Sequence, residues 1–258
     1  MKLKKMILIS LAFILLILSV CIIKITILHY QTRDGICIVG YHGVVSDKEK
    51  DEKYSSNRYF LSQTQFEEQI KYLYEHQYVT LSMDDIYDYY LGKKEVHKKS
   101  VALTFDDGYK NFNTVVKPIL DKYHFQATCF VIGKHLDDSK EQFLKSKDIV
   151  NTNRIQYYSH SYNLHQKAKG FDRKIIQDMS LKEISNDFQL NSIDSSYFAF
   201  PYGRSKGGVE KILKEHHVKL AFSYNQMRHM TREDQCYYLP RYMIIDIMPQ
   251  WYFEWICE

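Results

Sequence analysis

Seven short apolar runs, at residues 36–40, 101–105, 127–132, 155–158, 197–200, 220–223 and 237–245, alternate with segments whose apolar residues recur at helical spacing. A strand covered on both faces reads as a continuous apolar run, whereas a surface helix shows one apolar stripe. The alternation therefore predicts an α/β fold with a mostly parallel sheet, open or closed into a barrel. It also places chemistry at the C-terminal ends of the strands. Between the first two runs, Phe66, Ile70, Leu73 and Tyr74 share a helical face behind Ser62 and Thr64 as candidate caps. Ser82-Met83-Asp84-Asp85 has the form of a capping box. Residues 46–57, with their mixed charges, read as a mobile surface loop beyond the first run.

At 258 residues the chain has room for one large domain and a short appendage. The appendage is N-terminal: Lys2, Lys4 and Lys5 precede an apolar stretch from Met6 to Ile23. A cationic start followed by about 18 apolar residues, roughly 27 Å of helix, is the pattern of a signal peptide or signal anchor. No small-x-small cleavage site follows, and residues 22–28 stay apolar around Lys24, whose charge can snorkel. The favoured reading is an uncleaved anchor over residues 1–30, with a cleaved signal peptide and a secreted form as the other, then a polar linker at 31–35 and a domain at 36–258 on the outer side of the membrane. Cys21 follows Val20, a poor residue before a lipid-modified cysteine.

The formal charge of +4, from 35 basic and 31 acidic residues, is too small an excess for a nucleic-acid footprint. The five cysteines are scattered without C-x-x-C spacing, so neither a thiolate zinc site nor a disulfide framework is indicated. The 22 tyrosines fit two readings, stacking on sugar rings or a composition in which Tyr replaces Phe.

Four fragments at the ends of apolar runs carry chemistry. In Thr104-Phe105-Asp106-Asp107-Gly108, adjacent carboxylates leave a strand in different directions, so one can ligate a cation while the other faces a water; an ordinary Asp-Asp-Gly turn has the same letters. In His160-Ser161-Tyr162-Asn163-Leu164-His165, two imidazoles five apart suit a loop curled round one ion. With a single Asp they make an N/N/O set that leaves positions open for water and substrate. Phe200-Pro201-Tyr202-Gly203 ends a run on a turn whose backbone N–H groups can face an oxyanion. His42 stands just past the first run, where a lone histidine is more often structural than catalytic.

In this order and combination, the four fragments resemble the carbohydrate esterase family 4 polysaccharide deacetylases, with their nodulation-type deacetylase homology domain, over residues 36–258. Tyr41-His42-Gly43-Val44 makes them look most like the poly-β-1,6-N-acetylglucosamine deacetylases of the intercellular-adhesion type. The resemblance implies a distorted, circularly permuted (β/α)7-type barrel and metal-dependent removal of acetyl groups from an extracellular N-acetylglucosamine polymer, in support of biofilm and cell adhesion. It implies Asp106 as general base, and Asp107, His160 and His165 as metal ligands. The Tyr202 backbone becomes the oxyanion donor, and His42 the catalytic acid, moved to the N-terminal strand by the permutation. Zinc suits this donor set, and Co²⁺ or Ni²⁺ can occupy the same geometry. The common third motif has an arginine where this chain has Ala199. Arg241 is then a substitute for orienting Asp106, with an exposed strand-end arginine as the other reading. None of His216, His217 and His229 stands in the family's C-terminal Leu-x-His pattern, in keeping with the acid at His42. Alternatives are a deacetylase of peptidoglycan or chitin-type oligosaccharides, or a non-catalytic carbohydrate-binding surface protein. A further expectation is that the anchor and the aromatic stretch Trp251-Tyr252-Phe253-Glu254-Trp255 hold the mouth of the site near the bilayer.

Overall fold

The computed structural model describes residues 2–137, 141–165, 175–224 and 227–258. In chain order its elements are α1 (Lys2–Thr32), β1 (Cys37–Tyr41), β2 (Gly43–Val45), α2 (Asp47–Lys53), β3 (Phe60–Ser62), α3 (Gln63–Glu75), β4 (Val79–Thr80), α4 (Met83–Tyr90), β5 (Ser100–Phe105), α5 (Lys117–Lys122), β6 (Ala127–Val131), β7 (Ile155–Ser159), α6 (Ile175–Asp178), α7 (Leu181–Leu190), β8 (Tyr197–Ala199), α8 (Val209–Glu215), β9 (Leu220–Phe222), β10 (Tyr242–Met243) and α9 (Gln250–Cys257).

The main sheet runs β10-β1-β5-β6-β7-β8-β9, all parallel, with β4 beside the start of β5. Every residue of β1, β5 and β6 is buried, which is why these strands read as predominantly apolar runs with no charged residue. The sheet curls until its edges meet at one segment: Leu239 bridges Phe222 of β9, while Tyr242 pairs with Val39 of β1. The result is the expected (β/α) barrel-like fold. The last run, expected over 237–245, shrinks to two strand residues. Pro240 has no N–H to donate and interrupts the ladder there.

Period-two alternation sorts the strand residues between two cores. Cys37, Val39, Tyr41, Val101, Leu103 and Phe105 face outward to α3, α5 and α9. Ile36, Ile38, Ala102, Phe222 and Leu239 fill the lumen. The lumen register runs on from Ile38 through Gly40 to His42, from Ala102 through Thr104 to Asp106, and from Phe222 to Tyr224, the last residue of each series lying just past its strand. The chemistry is thereby aimed into the mouth.

Helix α3 is capped by Ser62, which accepts from Gln65 N, and buries Phe66, Ile70 and Leu73; Tyr74 lies off this face, 56% exposed. The capping box of Ser82 with Asp85 is present at α4. Residues 46–57, expected as a mobile loop, instead begin with helix α2. Ser46 caps it by accepting from Glu49 N, and Asp47 and Glu49 lie in its first turn, where the helix dipole favours them.

Helix α1 contains a 29-residue candidate membrane span, Lys4–Thr32, of mean hydropathy 3.2 with none of its most apolar window buried. It continues through Thr32, so the helix takes in the first two residues of the expected linker. Its end docks on the domain: the buried His29 ring lies 4.2 Å from Trp255 and its Nδ1 3.3 Å from Tyr242 Oη. Of the aromatic stretch expected to lie with the anchor near the bilayer, Trp255 meets α1 through His29, and Trp251 is 67% exposed.

Candidate active site

Asp106 leaves β5 in the lumen register and is 1% exposed, so its charge needs a partner. Arg241, the largest fully buried side chain, supplies it with a fork: Nη1 donates to Asp106 Oδ1 and Nη2 to Oδ2, both at 2.8 Å. Nη1 also donates to Thr104 Oγ1 at 3.0 Å, and Thr104 in turn donates to Val39 O. Arg241, just before β10, thus meets Asp106 from 135 residues away in the chain. Burial by itself would raise the Asp106 carboxyl, but Arg241, with His160 and His42 nearby, holds it well below the ordinary carboxylate range.

A further donor was not singled out in the sequence. Tyr224 Oη donates to Asp106 Oδ2 at 2.8 Å, and its ring lies 4.1 Å beneath the Arg241 guanidinium. Burial pushes this phenol well above its usual range, so it remains a donor. A Cβ at residue 40 would lie 2.1 Å from Tyr224 Oη, so only glycine leaves room for the approach. The available signal was position: Tyr224 lies two residues beyond β9, as Asp106 and His42 lie just beyond their own strands.

Asp107 turns away from Asp106 because its backbone is left-handed, with φ of 72°. Its Oδ1, buried and without a hydrogen-bond partner, lies 3.5 Å from His160 Nε2 and 3.2 Å from His165 Nε2. One ligand atom from each of these three residues lies within 4.8 Å of the others. Tetrahedral bonds of about 2.0–2.1 Å set ligand atoms roughly 3.3 Å apart, so the three residues fit a divalent ion. His160 Nδ1 donates to Ala199 O at 2.7 Å, which leaves Nε2 to face Asp107. Burial lowers the His160 imidazole to about 4, keeping it in the neutral form that ligates.

The loop between the two histidines is pinned from α7. Buried Asp187 accepts from Tyr162 N at 2.8 Å and from Asn163 N at 2.7 Å. Ser161 and Tyr202 also have left-handed backbones, with φ of 71° and 58°. Non-glycine residues in that region cost roughly 1–2 kcal/mol each and concentrate at functional sites. The Tyr202 ring stacks on His165, with centroids 4.3 Å apart. His42 lies between Tyr59 and Tyr224, at ring distances of 5.1 and 6.0 Å, with its Nδ1 buried and unpartnered. All seven residues singled out in the sequence therefore surround one region. Six of them line a cavity of about 360 Å³, and Arg241 lies behind it.

A sequence profile of the polysaccharide deacetylases matches residues 93–221. The chain belongs to that family. This polysaccharide deacetylase is 29% identical over 204 residues to the poly-β-1,6-N-acetyl-D-glucosamine N-deacetylase of Staphylococcus aureus strain MSSA476, covering 73% of this chain and 69% of the relative. It is 26% identical over 200 residues to the enzyme of the same name from Staphylococcus epidermidis, covering 72% and 68%. Its fold is that of IcaB from Ammonifex degensii, with a TM-score of 0.74 and 21% identity over 87% of this chain and 98% of that one. It is also that of the Streptococcus pyogenes deacetylase PplD in complex with acetate, with a TM-score of 0.70 and 23% identity over the same shares.

Proposed function

We propose that this polysaccharide deacetylase hydrolyses the acetamido groups of poly-β-1,6-N-acetyl-D-glucosamine outside the membrane, with a divalent ion held by Asp107, His160 and His165. The observation that carries the reading is the ligand triad beside an Arg241-held Asp106 in one mouth, together with the staphylococcal relatives. Two nitrogens and one carboxylate favour Zn²⁺, with Co²⁺ or Ni²⁺ able to use the same donors. When bound, the ion lowers the pKa of water and polarises the acetamido carbonyl.

The chain's own groups supply the rest. Arg241 and Tyr224 hold the Asp106 carboxylate ionised and oriented into the mouth, where it takes a proton from the attacking water. The Tyr202 N–H, at the end of β8, donates to the oxygen that becomes negative. His42, protonated, donates to the departing glucosamine nitrogen, and acetate and a free amine result. The amine is cationic at neutral pH, so the product adheres to anionic surfaces and supports cell adhesion and biofilm. Helix α1 is the membrane anchor that keeps the domain at the outer face.

The test is acetate release by the full chain in detergent from β-1,6-linked N-acetylglucosamine oligomers, with and without chelator and re-added Zn²⁺. Expected are loss on chelation, recovery with Zn²⁺, slower release from β-1,4 oligomers, and a marked fall in His42→Ala. Release that survives chelation, or an unimpaired His42→Ala, overturns the corresponding assignment.

A further inference from the structure

Nothing in their spacing pairs the five cysteines, yet the fold brings two of them together. Cys37 is the first residue of β1 and Cys257 the last of α9. Their free thiols are buried in one apolar cluster and in hydrogen-bonding contact with each other. Backbone contacts hold them there. Ile36 and Met230 exchange both hydrogen bonds, at 2.8 and 2.9 Å, and this antiparallel bridge lays residue 229 beside residue 37. Tyr78 Oη donates to Cys257 O at 3.1 Å and fixes the end of α9.

His229 completes the cluster. Its Nε2 lies 2.7 Å from Ile256 O, and a carbonyl only accepts, so Nε2 carries the hydrogen and Nδ1 is the basic nitrogen. That Nδ1 is buried and makes no hydrogen bond, on a residue 2% exposed. His29 and Tyr242 close over the ring, at centroid distances of 5.2 and 5.9 Å. Burial opposes a charge on Cys37, but the Cys257 thiol and His229 outweigh it and bring the Cys37 thiol below its ordinary range. Burial and Cys37 push Cys257 well above it. One sulfur is thus prepared to attack and the other to follow.

We propose that Cys37 and Cys257 are a disulfide-forming pair, closed outside the membrane by exchange with a disulfide oxidant, with His229 as the base. The setting outside the membrane rests on the location proposed above; the chemistry does not. His229 Nδ1 takes the Cys37 proton, and the thiolate attacks one sulfur of the oxidant RSSR, breaking its S–S bond and releasing RS⁻. The Cys257 sulfur then attacks the Cys37 sulfur of the mixed disulfide, forming the Cys37–Cys257 bond and releasing the second RS⁻. The two thiol protons pass to the leaving thiolates, the first by way of His229, so the cysteines lose two electrons and two RSH result. Access comes through the last turn of α9, because helix ends fray and Cys257 is its final residue. The bond joins β1, which leads to His42, to α9, whose Trp255 lies 4.2 Å from His29 of the anchor helix. It closes a loop of nearly the whole domain, the case in which a cross-link removes most chain entropy from the unfolded state.

The experiment incubates the reduced full chain, folded in detergent, with oxidised glutathione, then denatures it, labels remaining thiols with iodoacetamide and maps them by non-reducing peptide mass spectrometry. Cys37 and Cys257 are expected to lose at least about nine tenths of their label together and to appear as one linked peptide pair, while Cys129 and Cys236 keep theirs. The thermal midpoint rises by several degrees on oxidation, and in Cys257→Ser it does not respond to the oxidant. His229→Gln slows the loss of label at least about tenfold at neutral pH, and the deficit closes as pH rises past the ordinary thiol range. Label that persists on Cys37 and Cys257 at every glutathione ratio overturns the pair, as does a link from either one to Cys129, Cys236 or a second copy. A deficit in His229→Gln that persists at high pH, or none at any pH, overturns the base. None of these readouts involves acetate, so failure here is distinct from failure of the proposed reaction.

Discussion

The lower and upper halves of the lumen share one strand register but were built for opposite ends. Below, Ile38, Ala102, Phe222 and Leu239 are 0–1% exposed and wholly apolar. Above, the same register delivers His42, Thr104, Asp106 and Tyr224, joined by Arg241 two residues beyond Leu239. The upper layer contains a buried ion pair, a carboxylate oxygen without a hydrogen bond, and three left-handed backbones at non-glycine residues. Each of these costs stability. The lower layer offsets that cost by burying apolar surface, and the difference teaches that a rigid apolar floor is what allows a strained, charged rim.

Four substitutions probe this division. The largest effect belongs to the rim: Asp106→Asn is expected to reduce kcat/KM on oligomers by about 10²–10⁴, the range of a lost general base, measured as initial acetate release. A loss of less than about threefold would remove Asp106 from the proton-transfer step. The floor should answer in stability. Phe222→Ala, emptying a fully buried site, is expected to lower unfolding free energy by about 3–5 kcal/mol, read from the denaturant midpoint. If it loses activity while its midpoint is unmoved, the division fails.

The rim should also make stability depend on pH. Burial lowers His160 to about 4 from an ordinary 6.5, so the unfolded chain binds its proton first. In the metal-free protein this contribution is fully present above pH 6.5 and is lost as pH falls towards 4, by up to about 3 kcal/mol. His160→Gln should flatten that part of the midpoint-against-pH curve, and an unchanged slope would assign it to other groups. The smallest effect lies outside both layers: Ser82→Ala, removing the α4 capping box, should cost about 1 kcal/mol with kcat unaltered. A fall in kcat would show that α4 transmits strain to the mouth.

Much of this was legible in the chain because it is local. Six of the seven apolar runs are strands within a residue or two of their reading, since burial on both faces keeps charged residues out of them. Asp106, Asp107, His160 and His165 come from two short motifs whose spacing and strand-end position declare them. Helix α2 was missed although Ser46-Asp47-Lys48-Glu49 carries a capping signal, because an exposed helix and a mixed-charge loop share a composition. What the sequence left open depends on closure. Arg241 and Asp106 are 135 residues apart, and Tyr224 and Asp106 118, and no periodicity relates them. Whether Arg241 is an exposed strand end or the buried partner of Asp106 was decided only when the sheet curled and Leu239 bridged β9. That placed a guanidinium in a lumen where an unpaired charge cannot remain, and Asp106 was there to meet it.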